Sequence, residues 1–182
     1  MKRKLIITSF LVLAGFITAG LINNAMSHAN GAPEGNTGSP SDKNTCATSC
    51  HQGTLTAEKG WIKSNTLPTG YFPGRIYSIT LTTGGSYPAA KFGFQVSPQD
   101  ANGNLMGTMM VTDANATKLI GNDKYMTHTK PSVSTTGSTS WSFNWTAPKK
   151  GSGKVTFYAA FMISGKKQNV YTSSLEIPEG KS

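Results

Sequence analysis

Charged side chains are scarce in this sequence: Asp, Glu, Lys and Arg supply 14% of its 182 residues, against roughly a quarter in ordinary soluble domains. Acids are the scarcer kind, eight against 17 bases, so the formal charge of +9 reflects missing carboxylates more than abundant cations. Beyond Lys2-Arg3-Lys4 the lysines are scattered, with Lys149-Lys150 and Lys166-Lys167 as the adjacent pairs. A nucleic-acid binder gathers Lys and Arg onto one stripe, so the pattern argues for a solvated basic surface and against a nucleic-acid partner. No Ser/His/Asp constellation and no glycine-rich phosphate loop beside a lysine is visible, and the chain is read as a non-enzyme. Long helical patterns and internal repeats are missing too. Cysteine occurs twice and histidine three times. With 37% hydrophobic residues the chain can nevertheless build a core without a metal or a disulfide.

What is plentiful is Gly (20), Pro (9), Ser and Thr, which favours strands punctuated by turns. The N-terminus has the form of a signal peptide over residues 1–29. Lys2-Arg3-Lys4 is followed by an apolar stretch from Leu5 to Ile22, and Ser27 and Ala29 are placed for cleavage after Ala29. A retained membrane anchor is the alternative, because the apolar stretch approaches the ~18 residues that span a bilayer. Either way the following domain lies outside the cytoplasm. After cleavage no stable membrane span is expected.

Residues 30–60 read as an irregular Gly/Pro-rich arm, with a short helix expected around the cysteines at 45–60. From residue 61 to 178 the pattern becomes short strands. Tyr77, Ile79 and Leu81 alternate, as do Phe92, Phe94 and Val96; Trp141, Phe143 and Trp145; and Val155, Phe157, Ala159 and Phe161. Period-two spacing puts each set on one face of a sheet, and a second sheet must cover it. With turn residues such as Asn102-Gly103 and Gly84-Gly85 between the runs, seven to nine strands in an antiparallel sandwich are expected. Asp100 to Asn104 begins like a calcium loop, but Leu105 stands where glycine is required, so a hairpin turn is the better reading.

Chemistry is concentrated in Cys46-Ala47-Thr48-Ser49-Cys50-His51. A C-x-x-C-H run is the attachment signal for c-type haem, and this run has one extra residue between the cysteines. On that reading Cys46 and Cys50 form the haem thioethers and His51 is the proximal iron ligand. His128 is the favoured distal ligand and Met126 the second choice; a methionine would raise the reduction potential. Two other readings stay open: a Cys46–Cys50 disulfide, which closes too short a loop to stabilise much, and zinc, which lacks an obvious fourth ligand.

Beyond these residues, Tyr71-Phe72-Pro73-Gly74, Tyr77 to Leu81, Lys91 to Val96, Trp141 to Pro148 and Gly153 to Ala160 resemble the reeler domain. Gly31-Ala32-Pro33 and the Cys/His run resemble the arm of bacterial relatives often called choice-of-anchor V proteins. The resemblance covers roughly residues 31–177. It implies an all-β, immunoglobulin-like (reeler-type) sandwich, a periplasmic, cell-surface or secreted location, and a histidine near position 128 in the family's usual place. The leading expectation is therefore an exported monohaem c-type cytochrome-like protein, one covalent haem c carrying electrons to an unknown redox partner, with self-association open. The alternative is a haem-free extracellular binding or adhesion module with its cysteines in a disulfide.

Overall fold

The computed structural model describes residues 28–51, 53–165 and 168–181. The signal-peptide residues 1–27 and the Lys166-Lys167 pair lie outside the described residues. One helical turn, α1 (Cys46–Ser49), precedes eleven strands: β1 (Thr54–Ala57), β2 (Ile62–Ser64), β3 (Ile76–Thr82), β4 (Lys91–Gln99), β5 (Thr108–Met110), β6 (Thr117–Ile120), β7 (Tyr125–His128), β8 (Ser132–Val133), β9 (Ser140–Thr146), β10 (Val155–Ser164) and β11 (Gln168–Ile177). The larger sheet runs β1-β11-β10-β4-β7-β6, with β8 also on β4, and the smaller runs β2-β3-β9-β5. All the pairings are antiparallel except that of β1 with β11.

The all-β sandwich read from the sequence is the observed fold, and the reason is visible strand by strand. Ile79, Leu81, Phe143 and Trp145 from the smaller sheet meet Phe94, Val96, Phe157 and Phe161 from the larger, all essentially inaccessible to solvent. Trp145 packs edge-on against Phe157 (5.1 Å between ring centroids) and Tyr71 (5.5 Å). Its indole N–H donates to the Met106 carbonyl at 2.8 Å, so the ring is buried without an orphaned donor. Deleting an aromatic side chain packed in this way costs about 3–5 kcal/mol. At the far end of β4, the Asp100 carboxylate accepts the backbone N–H groups of Asn102 and Asn104, both at 2.8 Å. Gly103 adopts a φ of 83°, so this stretch is a turn, as its sequence indicates.

The outer face of the larger sheet is also covered. Lys91, Gly93, Gln95, Ser97 and Gln99 alternate with the inward residues of β4, yet Gln95, Ser97 and Gln99 are buried. The arm lies across them. The Gln95 side-chain oxygen accepts the Asn36 N–H at 2.7 Å, and its amide donates to the Pro33 carbonyl. Ser41 donates to the Gln99 side chain at 2.9 Å, and Tyr125 donates to Asp42 at 2.8 Å. The arm is irregular because it is rich in Gly, Pro, Ser and Asn, and it is held by side-chain hydrogen bonds in place of a ladder. It forms a third layer.

Candidate functional site

Where the arm leads into the sandwich, local capping builds the helical turn α1. Thr45 accepts the Ala47 N–H, and the Thr48 hydroxyl closes a capping box on the Thr45 N–H at 2.8 Å. The turn ends when the Cys46 carbonyl takes the N–H groups of both Cys50 (3.3 Å) and His51 (2.9 Å). Cys46 is thereby turned into a small buried cluster with Ala160 and Val170, while Cys50 stays exposed. The His51 Nδ1 sits 3.2 Å from the Gln168 side-chain oxygen at the start of β11.

A cavity of about 510 Å3 opens at this point on the outer face of the larger sheet. Cys46, Cys50 and His51 line it, and so does His128 from β7, more than seventy residues on in the chain. The fold thus brings together four of the residues that the sequence singles out. Met126, two residues before His128, packs in the main core and does not line the cavity.

His128 is held firmly. The Phe94 N–H donates to its Nδ1 at 3.1 Å, and the Phe94 carbonyl oxygen and the Thr127 hydroxyl each lie 3.3 Å from the same nitrogen. Burial pushes its pKa below the usual value; backbone hydrogen bonding at Phe94 and His28 opposes that shift, and Lys118 adds to it. Burial, then the neighbouring Cys50, pushes the Cys46 thiol up to about 12, so it stays protonated near neutral pH. Neither cysteine is in a disulfide; both are free thiols, so the weighed Cys46–Cys50 bridge is not formed.

The residues that sequence reading missed are those of the cavity floor, notably Gly93, Met162 and Lys91. One signal for them existed: a glycine between two phenylalanines inside a strand marks a close approach. That Met162 and Lys91 share its face follows from register, which pairs Met162 with Gly93 and Ser164 with Lys91.

The arrangement of donors gives the expected haem iron no support. Among the described residues no group of three or more His, Cys, Asp or Glu side chains is arranged to hold a metal ion. The two thiols also face different surroundings, one packed among Ala160 and Val170 and the other in solvent. The cytochrome c reading, with its haem, iron and electron transfer, is corrected on these grounds, and the haem-free alternative fits better.

Two facing β-sheets with a strapped outer face define the class, an immunoglobulin-like β-sandwich module. The Reeler domain model matches residues 44–176, and the chain belongs to that family. The human F-spondin reeler domain is similar in structure, at 23% identity and a TM-score of 0.56, covering 70% of this chain and 95% of that one. A second structure, the Reelin-N domain of F-spondin, gives 23% identity and a TM-score of 0.57 over 71% of this chain and 94% of that one. These likenesses carry the fold. Among the curated proteins none matches this chain. No helix among the described residues is long and apolar enough to cross a membrane.

Proposed function

We propose that this chain is an exported, non-catalytic binding module that takes a small molecule into the cavity between the arm and the larger sheet. One observation carries the reading: residues from the arm, α1, β4, β7, β10 and β11 converge on one cavity of about 510 Å3, within the roughly 300–1,000 Å3 typical of small-molecule sites. Reeler-family membership and the leader-like N-terminus support an extracellular setting. The four sequence-marked residues then act as lining: Cys46 closes the base, Cys50 and His51 form a polar edge, and His128 forms a wall.

The test is a titration of the full chain with a neutral apolar fluorophore, phenylnaphthylamine. One saturable site is expected, lost in Met162→Trp and Ser164→Phe, which fill the cavity from two positions, while thermal melting shows both variants folded. Absence of saturable binding, or binding indifferent to both folded variants, sinks the reading.

A further inference from the structure

The cavity floor is graded in polarity, and the strand register shows how. Gly93, Met162 and Val170 pair across β4, β10 and β11 as an apolar row on the outer face, of which Gly93 and Met162 line the cavity while Val170 is buried with Cys46. Two residues along, Lys91, Ser164 and Gln168 pair across the same three strands. Residues in cross-strand register point to the same side of a sheet, so the second row sets an ammonium, a hydroxyl and an amide side by side. All three line the cavity. His51, whose Nδ1 is 3.2 Å from the Gln168 oxygen, adjoins this row.

Charge sharpens the point. None of the chain's eight acidic residues lines the cavity. The Lys91 ammonium is exposed, and no ion pair or side-chain hydrogen bond engages it among the described residues. A cation ligand would meet an ammonium and imidazoles with no carboxylate to receive it. An acid would meet three donors.

We infer that the cavity takes an amphipathic acid: an apolar body over Met162, beside the His128 ring that covers Gly93, with a carboxylate or similar anionic head at Lys91, Ser164 and Gln168. This rests on the cavity being the ligand site, and it adds the ligand's chemical class. Lys91 sets the preference for acids, and Met162 sets the preference for an apolar body.

Two probes of similar shape separate the claims: neutral phenylnaphthylamine and anionic anilinonaphthalene sulfonate, each titrated against the full chain and Lys91→Met. The anionic probe should bind the parent chain more tightly. Lys91→Met should weaken it about tenfold, the scale of a lost charge-assisted hydrogen bond, and leave the neutral probe within about twofold. Competition by dodecanoate and by naphthoate then distinguishes a chain-like from an aromatic body. If neither probe binds, the binding-module reading itself fails. If both bind equally and Lys91→Met changes neither, the cavity stands as a site but the acid preference is wrong.

Discussion

The imidazole of His128 occupies the space that a side chain on Gly93 would need. A Cβ built at Gly93 would stand 2.5 Å from His128 Cε1 and 2.9 Å from Nε2. The glycine is a requirement of the ring beside it, and the ring in turn caps the N–H of Phe94. Strand and cavity wall are specified together.

Gly93→Ala should therefore destabilise the protein by about 1–3 kcal/mol, the scale of overpacking in a closed site. His128→Ala removes the obstructing ring, so the double variant should recover part of that loss relative to additivity. Urea denaturation of the four proteins measures the coupling. Strict additivity would show that the two residues do not share this space.

The lowered pKa of His128 fixes the sign of a pH effect. The unfolded chain takes up this proton near the ordinary value of 6.5, whereas the folded chain resists it. The contribution of His128 to stability is thus fully present above about 6.5, declines as pH falls below it, and is exhausted beneath the folded-state value. Urea midpoints across mildly acidic pH should fall less steeply for His128→Gln than for the parent. An unchanged slope argues against a buried neutral ring.

The two thiols should differ sharply in reactivity, because the thiolate is the nucleophile. Cys50 is exposed, while Cys46 is buried with its thiol pushed up to about 12. Brief iodoacetamide treatment of the reduced native protein should add one carbamidomethyl group, at Cys50, and a second only on unfolding. Peptide mapping by mass spectrometry reads the outcome; equal labelling of both would contradict the placement of Cys46.

Gln95 ties the arm to β4 through both ends of its amide, accepting from Asn36 and donating to the Pro33 carbonyl. Gln95→Leu leaves those backbone groups without their partner and should cost about 1–3 kcal/mol. Hydrogen exchange should quicken at Asn36 and Ala32 before it does in β9 or β10. Uniform quickening would mean that the arm is not a separately held layer.

Much of the fold is legible along the chain because strand alternation is local. The runs from Tyr77 to Leu81, Phe92 to Val96, Trp141 to Trp145 and Val155 to Phe161 fall on β3, β4, β9 and β10 with the expected faces inward. The helix expected around the cysteines is confined to Cys46–Ser49, because the capping Thr45 starts it and the doubly engaged Cys46 carbonyl ends it. The Cys/His run drew attention to the correct place, but its spacing implied a chemistry that the arrangement of donors does not support. Spacing reports which residues are near in sequence, and says nothing of whether two thiols face the same way.

By itself, then, the order of residues determined a strand-rich sandwich, its inward aromatic faces and the neighbourhood of the site, since each depends on patterns within a few residues. Tertiary structure alone decided that His128 joins Cys50 and His51 at one cavity, that the arm buries Gln95 and Gln99, and that Lys91 aligns with Ser164 and Gln168. Those outcomes depend on the register of strands far apart in the chain, and register is set by the packing of the whole core.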